Sequence, residues 1–122
     1  MNKILIADDN RDFSAALKLA LEAAGYIVYL AATGQEAILV QRSTPANFLI
    51  TDLVMPDTDG LETVETFRKE FPATKIIVVS GAEKLERSRY LETAKLIGAD
   101  FTFQKPFEVE ALLEALKSLR RP

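Results

Sequence analysis

Five side chains carry most of the chemistry open to this chain: Asp8, Asp9, Asp52, Ser80 and Lys105. They stand out partly because of what is missing, since the 122 residues include no cysteine and no histidine. Without thiols there are no disulfides, iron–sulfur clusters or cysteine nucleophiles. Without imidazoles there is no Ser-His-Asp relay, and both absences disfavour a zinc site. What remains is oxygen chemistry from 18 Asp and Glu residues, which suit hard cations such as Mg²⁺, Mn²⁺ or Ca²⁺. Carboxylates held within a few ångströms repel, so at neutral pH one keeps a proton or a cation joins them. A divalent cation is the better solution, because it neutralises charge and accepts oxygen ligands. A lysine and a hydroxyl opposite such a cluster would grip other oxygens of a phosphoryl group. With no His or Cys to compete, an aspartate is the best nucleophile available, as in aspartyl-phosphate chemistry.

These residues must be brought together by the elements around them. Ile4-Leu5-Ile6-Ala7 is a short apolar run of the kind found in a strand buried on both faces. Phe13, Ala16, Leu17, Ala20, Leu21 and Ala24 then fall at helical spacing, with Gly25 as the stop. Tyr26–Leu30 predicts a second strand, and Thr33 with Glu36 forms a capping box for a short helix ending before Pro45. Phe48–Thr51 is a third strand. Leu61, Val64, Phe67 and Phe71 mark a helix stopped by Pro72, and Lys75–Val79 is a fourth strand. A charged helix ending near Ile97, a fifth strand at Phe101–Gln104 and an amphipathic helix through Val109, Leu112, Leu113, Leu116 and Leu119 complete the chain. Five strand–helix units in alternation predict an α/β fold, a flavodoxin-like three-layer sandwich around a parallel five-stranded sheet in the order 2-1-3-4-5.

Sites in such sheets lie beyond the carboxyl ends of the strands. Strand 1 runs into Asp8-Asp9, strand 3 into Asp52, strand 4 into Ser80-Gly81 and strand 5 into Lys105-Pro106. Bland roles compete for each residue. Asp8 and Asp9 could cap the first helix, with Asn10 and Asp12 as rivals. Asp52 could be a turn residue ahead of Pro56, Asp57, Asp59 and Gly60, and Lys105 a surface lysine. Phe107 and the leucine stripe of the last helix read as core.

Taken together, these motifs resemble the receiver domain of two-component response regulators. The resemblance rests on Asp8-Asp9, on Asp52-Leu53-Val54-Met55-Pro56 with Asp59-Gly60, on Ser80-Gly81 and on Lys105-Pro106-Phe107, and it covers essentially all of residues 1–122 as one domain. It implies that Asp52 accepts a phosphoryl group from a sensor histidine kinase or phosphotransfer protein. Asp9 would hold Mg²⁺ (or Mn²⁺) directly and Asp8 through water, with Asp52 and the Val54 backbone carbonyl completing the set. Ser80 would hold the phosphoryl group, while Lys105 would pair first with Asp52 and then with the phosphoryl oxygens. The Lys105–Pro106 bond would be cis. The partner surface would change around helix 4, strand 5 and helix 5, acting on an output protein or an output domain absent from this chain. Val54 and Ala82 offer no acid or base to an attacking water, so self-dephosphorylation is expected to be unassisted. The chain departs from the family at Thr102, where an aromatic is usual, and Ser80 stands where Thr is commoner.

Two other functions compete. A haloacid-dehalogenase-like phosphatase also uses an Asp nucleophile and Mg²⁺, but it needs a second Asp two residues on, where this chain has Val54. A degenerate receiver would only bind partners. The net charge of −3 gives no basic footprint for nucleic acid. The longest apolar run, Tyr26 to Ala32, is too short to span a membrane, and the N-terminus lacks a signal-peptide pattern. The expectation is therefore a cytoplasmic switch rather than a turnover enzyme.

Overall fold

The structure is a computed structural model that describes residues 2–55, 58–81, 92, 95 and 97–120. Its centre is a five-stranded sheet of β1 (Lys3–Ala7), β2 (Ile27–Ala31), β3 (Phe48–Asp52), β4 (Lys75–Ser80) and β5 (Phe101–Gln104). All pairings in this sheet are parallel, in the order β2-β1-β3-β4-β5, as the alternating pattern predicts. The helices described are α1 (Arg11–Ala23), α2 (Gly34–Ser43), α3 (Gly60–Glu70) and α4 (Val109–Arg120). A short antiparallel ladder, Val54–Met55 with Thr58–Asp59, links β3 to α3.

Strand alternation divides the core into two layers. On one face Leu5, Leu49, Ile76 and Val78 meet Ala37 of α2 and Val64 and Phe67 of α3. On the other, Ile4, Ile6, Phe48, Ile50, Ile77 and Val79 meet Leu17 and Leu21 of α1 and Leu112 and Leu116 of α4. Each of the larger side chains among these (Val, Leu, Ile and Phe) stabilises the fold by about 1.5–3 kcal/mol when fully buried. In the last helix Leu112 and Leu116 are fully buried, and Phe107, Leu113 and Leu119 pack against the same core layer.

Local chemistry sets the ends of the helices. Asn10, rather than either preceding aspartate, caps α1 by accepting the Phe13 N–H at 3.0 Å. The Thr33 hydroxyl accepts the Glu36 N–H at 3.1 Å, and the Glu36 carboxylate reaches back to the Ala32 N–H at 3.2 Å. The return bond therefore lands one residue before the cap. β2 runs one residue later than the sequence predicts, and Ser80 belongs to β4 itself. The predicted charged helix before Ile97 lies outside the described residues, except for Glu92 and Lys95, which are helical.

At the opposite end of the strands from Asp52, Arg68 of α3 ties three segments together. Its guanidinium donates to the carbonyls of Gly98 (2.6 Å), Pro72 and Thr74 (both 3.2 Å) and pairs with Asp100 at 3.2 Å. Asp100 in turn accepts the Ile76 N–H at 2.8 Å. Gly98 has φ +128°, and a Cβ there would meet the Arg68 side chain at 2.8 Å, so both backbone and space require glycine.

Candidate functional site

Sheet register brings the acidic residues together. Ala7 pairs with Thr51, so the next residues, Asp8 and Asp52, leave adjacent strands at the same level. Asp52 pairs with Val79 and Ser80 with Gln104, so Lys105 lies one step beyond Ser80 on the neighbouring strand end. Carboxylate oxygens of Asp8, Asp9 and Asp52 all lie within 4.8 Å of one another. Asp8 and Asp52 are buried and Asp9 is exposed, so the cluster opens to solvent on one side.

Each buried carboxylate is held in place. One oxygen of Asp8 accepts the Asn10 N–H at 2.9 Å and the other takes the Lys105 ammonium at 2.7 Å. Lys105 also reaches Asp52 at 3.5 Å. Lys105 thus reaches Asp52, the partner expected from the sequence, but sits closer to Asp8. Three carboxylates and one ammonium leave a formal charge of −2 in a pocket only partly open to water. Such a donor set, all oxygen and net negative, fits a hard divalent cation.

The other site residues belong to the same layer. Ser80 is buried, and its carbonyl accepts the Lys105 N–H at 2.6 Å, which fixes the start of the next loop. The Lys105–Pro106 bond is cis. Val54 opens the short ladder, opposite Asp59. Ala82 lies outside the described residues. Gly60 donates its N–H to the Leu53 carbonyl at 3.0 Å, and a Cβ there would collide with Leu53 and approach the Asp52 carbonyl to 2.7 Å. The first turn of α3 therefore touches the strand end that carries Asp52.

One residue beside the site escapes sequence reading. The Lys105 ammonium lies 3.9 Å from the centroid of the Phe13 ring. Helical spacing places Phe13 on the apolar stripe of α1 and gives no sign that a cation sits on its face. Phe13 also borders a cavity of about 560 Å³ shared with Asn10, Gly81, Lys105, Pro106 and Phe107. Thr102 is half-buried, between Phe101 and Phe103, which pack on the α1–α4 side.

Comparison with known proteins agrees with this architecture. Residues 4–117 match the profile of the response regulator receiver domain. The transcriptional regulatory protein CpxR of Escherichia coli (strain K12) is 32% identical over 122 residues, covering 99% of this chain and 50% of that protein. The chain thus spans about half the length of the relatives it matches. A CheY-like receiver domain protein from Methanospirillum hungatei JF-1 superposes with a TM-score of 0.85 at 35% identity, covering 97% of this chain and 92% of that one. A response regulator from Burkholderia pseudomallei, solved with a phosphorylated aspartic acid, a calcium ion and citrate, gives 0.85 at 29% identity, covering 95% and 66%. With its parallel sheet in the order 2-1-3-4-5, this chain belongs to the response regulator receiver domain family.

Proposed function

We propose that residues 1–122 act as one receiver domain, a switch in which Asp52 accepts a phosphoryl group from a histidine kinase or phosphotransfer protein. The observation that carries this is the Asp52 carboxylate on a buried strand end, with Lys105 3.5 Å away and oxygens of Asp8 and Asp9 within 4.8 Å. An Asp52 oxygen attacks phosphorus; the P–N bond to the donor imidazole breaks and its electron pair stays on the imidazole. The chain has no histidine, so that imidazole comes from the partner. Asp8, Asp9, Asp52 and the Val54 carbonyl would hold Mg²⁺, or Mn²⁺ in its place. When bound, the cation supplies charge neutralisation for the phosphoryl oxygens. Lys105 turns from the carboxylates to a phosphoryl oxygen, and the Ser80 hydroxyl donates to another. The aspartyl phosphate of the Burkholderia pseudomallei relative supports this assignment.

In this reading the chain receives and loses one phosphoryl group without turning over a substrate. It works in the cytoplasm, where a kinase can reach it, and passes the signal to an output protein or output domain through the face around the charged helix before Ile97, β5 and α4. Among the described residues, no helix is long and apolar enough to cross a membrane. The test is incubation with a small acyl phosphate and Mg²⁺, read by intact mass. The parent gains one phosphoryl mass and Asp52→Asn gains none. No gain in the parent, or an equal gain in the variant, overturns the assignment. Sustained phosphate release from phosphomonoesters would instead favour a phosphatase.

A further inference from the structure

We propose that Phe13 is a positioning residue for Lys105: its ring face holds the ammonium against Asp8 and thereby sets how readily a divalent cation enters the acidic cluster. Among the described residues the ammonium meets the carboxylates of Asp8 at 2.7 Å and Asp52 at 3.5 Å and the ring centroid of Phe13 at 3.9 Å. The negative face of an aromatic ring attracts a cation at that distance, more strongly where water is scarce. The Lys105 side chain is only 19% exposed, so screening is modest. The ring itself is held in place. Phe107 meets Phe13 at 6.1 Å and 75°, and Phe103 meets Phe107 at 5.5 Å. Phe101 stacks on Phe103 at 6.4 Å, so a run of three rings, two of them on β5, backs the one that faces Lys105.

The functional effect follows from competition for the same acid. A divalent cation joining Asp8, Asp9 and Asp52 repels the ammonium and displaces it from Asp8. Whatever holds Lys105 in place there, and is lost on displacement, weakens cation binding by the same factor. Exposed ring–cation contacts give a factor of about two- to fivefold, which is the lower bound for a contact this buried. This inference rests on the reading of Asp8, Asp9 and Asp52 as the cation site, and does not depend on phosphoryl transfer.

Progressive fluorination of the Phe13 ring tests it, because fluorine drains the negative face while nearly preserving shape. Mg²⁺ alone is titrated by calorimetry into the parent and into chains carrying mono-, di- and trifluorophenylalanine at position 13, with Phe13→Leu alongside. The ring-current shift of the Lys105 ε-methylene protons is read by NMR without metal. The expected result is a Kd for Mg²⁺ that falls stepwise with fluorination, at least about twofold in all, and a ring-current shift that is lost in Phe13→Leu. Parent-like Mg²⁺ affinity across the series overturns the proposal, even if Phe13→Leu changes stability. An absent ring-current shift in the parent also overturns it. A parent that binds no Mg²⁺ at all overturns the cation site itself, and this proposal with it.

Discussion

Replacing Lys105 with Met keeps most of the side chain's length and its contact with the Phe13 ring, and removes the charge. The Asp8 side chain is 1% exposed and that of Asp52 is 12% exposed, so both lose a counter-ion in a place where water replaces it poorly. At an effective dielectric of about 20, an ammonium attracts a carboxylate by about 6 kcal/mol at 2.7 Å and about 5 kcal/mol at 3.5 Å. Much of this offsets the desolvation of the three groups. Removing one partner of a buried pair costs about 3–5 kcal/mol net, and the 19% exposure of Lys105 points to the lower end, about 3 kcal/mol. Saturating Mg²⁺ should recover a large part of that loss, because a divalent cation neutralises the same oxygens and binds only the folded chain. Urea unfolding at pH 7, with and without Mg²⁺, measures both quantities. The parent should gain less from Mg²⁺ than Lys105→Met does. Equal stability of the two chains without Mg²⁺, or an equal gain on adding it, would refute the electrostatic account of the cluster.

Gly60→Ala pushes a methyl group into Leu53 and toward the Asp52 carbonyl; it should cost about 1–3 kcal/mol in urea unfolding and slow acyl-phosphate labelling of Asp52. Arg68→Met removes the donors to Gly98, Pro72 and Thr74 and the partner of Asp100; it should destabilise by about 2–3 kcal/mol, while its rate of acyl-phosphate labelling stays near the parent's. The hydrogen bond from Arg42, aided by its charge, holds the Glu70 carboxyl below the usual range. A depressed folded-state value gives stability that is present at neutral pH and lost as pH falls through that range. NMR titration should return Glu70 to its ordinary value in Arg42→Met, and high salt should shrink the effect in the parent.

Sheet order was legible because short continuous apolar runs alternate with helical stripes, and because Pro45, Pro72 and Gly98 punctuate them. The convergence of Asp8, Asp52, Ser80 and Lys105 followed from register, since each stands at a strand end. The preference of Lys105 for Asp8 was not legible, because a lysine between two acids is placed by distances finer than residue spacing resolves. Phe13 stayed hidden for a different reason: a stripe of apolar residues reads alike whether a ring meets other apolar groups or a cation. Arg68 and Gln41 show a third limit. Both read as ordinary polar helix positions, yet Gln41 is 2% exposed, its amide bonded to both the N–H and the carbonyl of Ala46 and to Thr74. Burial of that kind depends on partners 5 and 33 residues away, and no local pattern records it.

The positive charge of the cluster arrives late along the chain. Lys105 stands 97 residues from Asp8 and 53 from Asp52, just past the edge strand that pairs only with β4. During synthesis the three acids are made well before the ammonium that balances them. A partly folded chain lacking β5 therefore gathers like charges, which oppose closure, and docking of β5 relieves them. Completion of the fold and charge balance in the cluster thus become one event.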